Sequence, residues 1–152
     1  MSVYYLDSSA WVKRYFEEPG SGWVMLLFDE RERLASSNLG YVEVASALAR
    51  QQESRNLDQQ KLEQLQEQLK ADWTDLTGFP LTVELAERAV VLAQRYKLRG
   101  ADAVHLAAAL GLQNRLAAIN ETVVVVSSDR ELLEAARDAG LKVENPALAA
   151  AR

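Results

Sequence analysis

The length and composition of the chain indicate one compact domain. It has 152 residues, of which 49% are hydrophobic and 26% are charged, proportions that are typical of globular proteins. The sequence has no cysteine and one histidine, which excludes disulfides, thiolate catalysis, sulfur-bound zinc and metal sites built on several histidines. A metal ion bound by this chain would therefore be held mainly by oxygen.

The formal net charge of −5 gives no support to a protein that coats nucleic acid with a basic surface. An enzyme that cleaves nucleic acid is still allowed, because carboxylates can hold a metal while a few local cations contact phosphates. The first ten residues lack a basic leader, and the sequence has no run of about 20 apolar residues. We therefore expect a cytoplasmic protein and not a membrane protein.

Strand-like and helix-like patterns alternate along the chain. Strands are predicted over residues 3–6, 34–37, 75–77, 123–126 and 141–143. Helices are predicted over residues 10–16, 23–30, 38–48, 51–72, 82–96, 101–116 and around 132–136. This alternation predicts an α/β fold with a mostly parallel sheet. We expect a single domain over residues 1–147 and a short C-terminal tail over 148–152.

Four carboxylates occupy positions where a merely solvated acid is unexpected. Asp7 follows the first predicted strand, and Asp129 follows the most apolar one after two serines. Both therefore belong at the carboxyl ends of parallel strands, the edge at which open α/β sheets bind ligands. Glu43 and Asp102 lie near the beginning of two apolar helical segments. These four residues are the candidate site.

Three of the four acids also have an ordinary structural explanation. Asp7 and Asp129 could cap the following helices, each contributing about 1 kcal/mol, and Asp102 could favour a helix N-terminus through the dipole. Glu43 lies past the predicted cap at Asn38 among apolar neighbours, where an unpaired buried carboxylate is costly. Glu43 therefore needs a partner, a metal ion or a local water channel.

Carboxylates brought together repel one another and raise each other's pKa unless cations lie between them. Mg²⁺ and Mn²⁺ suit such a site because they prefer oxygen ligands, retain water and bridge carboxylates to phosphates. An ion of this kind lowers the pKa of bound water and stabilises charge on a phosphate under attack. The residues thus indicate phosphodiester hydrolysis.

Four short segments that contain these acids resemble the motifs of PIN-domain nucleases. The segments are residues 5–10, 42–47, 101–107 and 127–132. In order and spacing they are similar in particular to the VapC-type ribonuclease toxins of bacterial and archaeal toxin–antitoxin operons. The resemblance extends from residue 3 to about residue 146.

The resemblance implies a three-layer α/β/α sandwich, with the acidic quartet of the family at Asp7, Glu43, Asp102 and Asp129. Asp7 and Asp102 would be the most direct ligands of Mg²⁺ or Mn²⁺, and Glu43 and Asp129 would bind a second ion or orient waters. Ser127 would hydrogen-bond to a carboxylate or a metal-bound water. The resemblance also implies an RNA substrate, a homodimer and a VapB-type antitoxin whose tail blocks the site.

Further polar residues near the acids are candidates for contacts with RNA or with the site residues. They are Ser8, Lys13, Arg14, Arg99 and Arg130, with ordinary surface charge as the alternative for each cation. His105 shares a helical face with Asp102, three residues earlier. Because metal–water chemistry does not require a histidine, we expect His105 to pack or to hydrogen-bond.

The sequence also bears on functions other than that of a toxin nuclease. A phosphoacceptor receiver domain has the same fold class, but here no acidic pair follows the first strand and no lysine follows the last strong strand. Two alternatives stay open: a PIN-domain nuclease that processes RNA without an antitoxin, and a catalytically silent PIN-like binding module. A small antitoxin gene immediately upstream would favour the toxin over the RNA-processing enzyme.

Overall fold

The computed structural model describes residues 1–149, and within them five strands form one parallel sheet. The strands are β1 (Ser2–Leu6), β2 (Leu34–Ser37), β3 (Thr77–Phe79), β4 (Thr122–Val126) and β5 (Lys142–Glu144). Their order across the sheet is β3-β2-β1-β4-β5. The first strand of the chain therefore lies at the centre of the sheet.

Eight α-helices within residues 1–149 connect and cover the strands. They are α1 (Ser8–Trp11), α2 (Ser21–Asp29), α3 (Asn38–Arg50), α4 (Gln59–Asp75), α5 (Val83–Tyr96), α6 (Gly100–Ala117), α7 (Arg130–Asp138) and α8 (Pro146–Ala149). A 3-10 turn over Val12–Arg14 continues α1. The predicted α/β fold with a parallel sheet is confirmed.

The sheet separates two hydrophobic cores, as a three-layer architecture requires. Side chains alternate between the two faces of a strand, so that Tyr5 and Val125 enter one core while Leu6 and Val126 enter the other. The first core is closed by α5, α6 and α7. The second core is closed by α1, α3 and α4. Burial on both faces explains why β4 is an uninterrupted run of β-branched residues.

Several predicted elements agree with the structure. The strand over residues 34–37 has the predicted bounds. Thr82 caps α5, its side chain accepting a hydrogen bond from the Leu85 amide. The apolar helix over residues 101–116 corresponds to α6 and is largely buried. These elements could be predicted because the sequence shows a clear hydrophobic periodicity or a recognisable helix cap.

The helix predicted over residues 51–72 begins later, at Gln59. Asn56 adopts a left-handed backbone conformation with φ of 52°, and the Asp58 side chain accepts a hydrogen bond from the Lys61 amide and fixes the start of α4. Because α4 continues to Asp75, the strand predicted over residues 75–77 is displaced and β3 begins at Thr77.

Three further predictions were wrong in detail. The helix predicted over residues 10–16 begins at Ser8 and changes to a 3-10 turn at Val12. The helix predicted over residues 23–30 begins two residues earlier, at Ser21, and ends at Asp29. The cap of α3 is Ser37, since Asn38 instead accepts a hydrogen bond from the amide of Leu81.

The predicted C-terminal boundary at residue 147 falls inside α8, so that two residues expected in the tail, Leu148 and Ala149, belong to a helix. The rest of the predicted tail, residues 150–152, lies outside the described residues. None of the helices in residues 1–149 combines the length and the apolar character needed to cross a membrane.

The contact between α8 and the start of α2 depends on Gly20. Gly20 has φ of 94°, and a Cβ atom there would lie 2.6 Å from the carbonyl carbon of Pro146 and 2.7 Å from the amide nitrogen of Ala147. A side chain would therefore meet both backbone strain and a rigid neighbouring backbone.

We predict that Gly20→Ala lowers the free energy of unfolding by about 1–3 kcal/mol, measured by urea denaturation. The matched control is Gly22→Ala, since Gly22 lies in α2 with no atom near its hypothetical Cβ. Because alanine favours a helix interior over glycine, this control should be neutral or slightly stabilising. Equal effects of the two substitutions would contradict the proposed role of Gly20.

Candidate active site

The acids predicted from sequence gather around the carboxyl edge of the two central strands. Asp7 follows β1, and Asp129 follows β4 after two serines. Asp102 lies in the first turn of α6, and Glu43 lies one turn into α3. In the β1–β4 pair Leu6 is aligned with Val126, so that the residues following the two strands are brought to the same place.

Asp7 is 2% exposed and receives three hydrogen bonds. Its Oδ1 accepts from the Ser9 hydroxyl at 2.7 Å and from the Ala10 amide at 3.0 Å, and its Oδ2 accepts from the Ser127 hydroxyl at 2.6 Å. Burial raises the pKa of Asp7, while the His105 side chain and the two serine hydroxyls act in the opposite direction. The carboxylate is thus held in a fixed orientation.

Helix capping explains part of this arrangement. Asp7 caps α1, and Asp129 caps α7 by accepting a hydrogen bond from the Leu132 amide at 3.1 Å. Both acids therefore cap helices, as their structural explanation predicted. Capping does not account for the bond from Ser127 to Asp7, because a surface cap needs no buried hydroxyl.

The pKa of Asp102 reflects its burial and the negative charges beside it. Desolvation, followed by repulsion from Asp129 and Asp7, raises the pKa of Asp102 to about 6, against opposing effects of His105 and Arg99. The charges of Asp129 and Asp7 thus act on Asp102 at this edge, and a cation placed among the three carboxylates would relieve the repulsion.

Glu43 has the partner that the sequence required. Its Oε1 lies 2.7 Å from Nε2 of His105, and its side chain is 29% exposed. The same helix face lines a groove of about 410 Å³ between α1 and α3. The groove is lined by Ser8, Ser9, Val12, Val42, Glu43, Ser46, Ala47 and Arg50. Glu43 therefore connects a buried histidine to an open surface.

Among the described residues, no group of three His, Cys, Asp or Glu side chains is arranged to hold a metal ion by itself. Mg²⁺ is commonly bound by only one or two carboxylates and completes its shell with water and substrate phosphates. The candidate donors are all oxygens, and the charges of Asp129 and Asp7 add to the burial that raises the pKa of Asp102. The residues present fit a hard divalent cation.

Three of the additional candidates lie close to the acids. Ser127 is fully buried and bonded to Asp7, and Ser8 lines the groove beside Glu43. Arg99 immediately precedes α6, and its charge lowers the pKa of Asp102.

The other cations are engaged elsewhere. Lys13 is buried and donates to Glu18 at 3.3 Å. Arg14 donates to Asp72 at 2.6 Å and lines a cavity that includes residues at the amino ends of β1, β2 and β3. Arg130 is 91% exposed and pairs within α7. These three cations are close to candidate acids in the sequence, but in the structure each of them pairs with a different acid.

Sequence patterns did not single out Ser9, Ser46 and Arg50. Ser9 bonds to Asp7, and the other two lie on the face of α3 that carries Glu43. Helical spacing could have found them, because positions three and seven residues after Glu43 share its side of the helix.

Comparisons with known proteins agree with this geometry. The sequence profile described as PIN domain matches residues 4–138. The chain is 36% identical over 143 residues to Ribonuclease VapC45 of Mycobacterium tuberculosis (strain CDC 1551 / Oshkosh), an alignment that covers 94% of this chain and 95% of the relative.

Solved structures show the same fold. FitAcB from Neisseria gonorrhoeae superposes with a TM-score of 0.68 at 18% identity, covering 94% of this chain and 97% of that one. A toxin–antitoxin complex from Klebsiella pneumoniae gives a TM-score of 0.62 at 17% identity, covering 93% and 96%. The three-layer arrangement inferred from the sequence is therefore shared with these proteins.

We predict that Asp102→Asn raises the melting temperature of the metal-free protein at pH 7.5. The folded-state pKa of about 6 lies above the usual value, so Asp102 opposes folding once it ionises. Its protonated form favours the folded state fully below about pH 4, and this benefit is lost as pH rises through 6. Removing the charge should therefore help at pH 7.5 and much less at pH 4.5.

Thermal denaturation with a chelator present measures this effect. Glu67→Gln is the control, because it removes one negative charge from an exposed position on α4. The same shift in melting temperature at both pH values for Asp102→Asn would show that ionisation of Asp102 does not limit stability.

Proposed function

The chain belongs to the PIN-domain family and to its VapC group, and from this premise we propose that it is a divalent-metal-dependent endoribonuclease. The observation that carries the proposal is the gathering of Asp7, Asp102 and Asp129 at the carboxyl edge of the sheet, where the charges of Asp129 and Asp7 add to the burial that raises the pKa of Asp102. A protein gains nothing in stability from crowding these charges, whereas a site that binds a cation and a phosphate requires them.

In the proposed mechanism Asp7 and Asp102 would hold Mg²⁺ or Mn²⁺, and Glu43 and Asp129 would act on the ion directly or through water. When bound, such an ion lowers the pKa of water and stabilises negative charge on the phosphate. The hydroxyls of Ser9 and Ser127 fix the Asp7 carboxylate by hydrogen bonds. This preorganisation avoids reorienting a buried carboxylate during the reaction.

The groove between α1 and α3 is the proposed path of the RNA backbone. Ser8 and Ser46 offer hydroxyls to phosphate or ribose oxygens, and Arg50 offers a positive charge at the exposed end of α3. At a rise of about 1.5 Å per residue, the seven positions from Glu43 to Arg50 span roughly 10 Å. In this proposal Arg50 contacts a phosphate beyond the one that is cleaved.

We also propose that the protein is the toxin of a VapBC-type module, acts in the cytoplasm on RNA, forms a homodimer and is inhibited by a VapB-type antitoxin. Support comes from the similarity to a VapC ribonuclease and from the fold shared with a protein of a toxin–antitoxin complex. Val83, Val90 and Val91 on α5 are 50–82% exposed, and exposed apolar side chains of this kind are commonly covered in interfaces.

We predict that Asp7→Asn abolishes RNA cleavage while the protein remains folded. Asparagine is also a good helix cap, so α1 should keep its N-terminus, but one negative charge of the proposed metal site is lost. Activity should fall by at least about 100-fold, because even residues that only orient metal ligands contribute roughly 10–100-fold. Cleavage of an RNA panel with Mg²⁺ or Mn²⁺ measures the effect.

Glu67→Gln serves as the matched control and should cleave like the wild type, and a chelator should stop both active proteins. If the purified wild type cuts no RNA of any kind with either ion, the nuclease proposal fails and a binding module becomes the better explanation. Growth arrest that is relieved by a neighbouring small gene favours the toxin; cleavage without growth arrest favours an RNA-processing enzyme.

We predict that Arg50→Ala weakens RNA binding and reduces its salt dependence. Loss of one phosphate contact should lower the slope of log affinity against log salt concentration by about 0.7 for single-stranded RNA. Fluorescence anisotropy with a chelator present measures binding without cleavage. The control is Arg88→Ala on α5, an exposed arginine that pairs with Glu84; equal changes in both slopes would argue against the groove.

A further inference from the structure

The one histidine of the chain lies in a buried hydrogen-bond chain that ends at the groove. His105 is 2% exposed and Tyr5 is fully buried. The Tyr5 hydroxyl lies 2.9 Å from His105 Nδ1, and His105 Nε2 lies 2.7 Å from Glu43 Oε1. The chain of contacts therefore passes from β1 through α6 to α3.

The direction of the bond to Glu43 follows from the chemistry of the groups. An ionised carboxylate only accepts hydrogen bonds, so Nε2 must carry the proton that it shares with Glu43. At Nδ1 the Tyr5 hydroxyl can either donate to the ring or accept from it. The imidazole is thus held at both of its nitrogens, by Tyr5 on one side and by Glu43 on the other.

The surroundings leave the imidazole little freedom. The Tyr5 and His105 rings meet edge to face with centroids 5.8 Å apart. A Cβ atom at Gly40, on α3, would lie 3.2 Å from Cε1 of His105, so α3 packs against the ring where a larger residue would intrude. The imidazole of His105 is thus a rigid hydrogen-bond donor to the partly exposed carboxylate of Glu43.

We propose that His105 and Tyr5 are positioning residues that fix the orientation of the Glu43 carboxylate at the groove. Because the bond to His105 uses Oε1, Oε2 is the oxygen left to act on water or substrate. The catalytic part of this inference rests on the proposed nuclease function, whereas the orientation of Glu43 does not.

Nuclear magnetic resonance of the metal-free protein tests the orientation directly. With one histidine in the sequence, the ¹⁵N imidazole signals need no assignment by mutation. We expect a proton on Nε2, and a ¹³C carboxyl signal of Glu43 that shifts when His105 is replaced by Leu. An Nε2 without a proton, or an unchanged Glu43 signal, would overturn the proposal.

Substitutions of His105 separate positioning from packing. His105→Gln keeps an amide donor near the place of Nε2, whereas His105→Asn keeps a polar atom on the Tyr5 side and is too short to reach Glu43. We expect the Glu43 carboxyl signal and kcat to stay near wild type in the Gln variant, and kcat to fall by about 10–100-fold in the Asn and Leu variants. KM for RNA should change little.

Tyr5→Phe is the mildest test, because it removes one hydroxyl and keeps the buried ring. Its Nε2 proton should exchange faster with water, and its kcat should fall with little change in KM. Kinetic effects that follow melting temperature across all variants, without an advantage of Gln over Asn, would overturn the positioning role. A wild type that cuts no RNA but shows the expected imidazole and Glu43 signals would overturn the proposed function and leave the orientation of Glu43 standing.

Discussion

The parallel pairing of β1 with β4 is the constraint on which the site depends. Leu6 is aligned with Val126, and the Asp7 amide donates to the Val126 carbonyl oxygen at 3.2 Å. This register brings two segments that are more than a hundred residues apart in the sequence close enough for Ser127 to bond to Asp7. A shift by one residue would turn every side chain of the strand to the other face and separate these groups.

The same edge carries an electrostatic cost that the cores must offset. Burial and like charges raise the pKa of Asp102 to about 6, and burial raises the pKa of Asp7, so the ionised site opposes folding at neutral pH. Packing on both faces of the sheet supplies the opposing stability, because apolar side chains of β1 and β4 are buried in two separate cores. A cation would reduce the repulsion without any change in packing.

Asp7 and Glu43 are held by different sets of hydrogen-bond donors. Asp7 is held by serine hydroxyls and a backbone amide, all within or beside the central strands. Glu43 is held by a histidine from α6, which is in turn held by a tyrosine from β1. The first arrangement depends on the pairing of β1 with β4 and on the first turn of α1, whereas the second requires α3 and α6 to pack at the right distance from the sheet.

The sequence by itself determined the α/β class, most of the elements and the four acids, because alternating apolar periods, caps and strand ends are local signals. It also predicted the need of Glu43 for a partner, but it could not name His105. Only the tertiary structure decided that His105 reaches Glu43 and that Arg14 pairs with Asp72. Those outcomes depend on which helix faces meet and at what distance, and helix packing joins residues far apart in the chain, where spacing along the sequence carries no information.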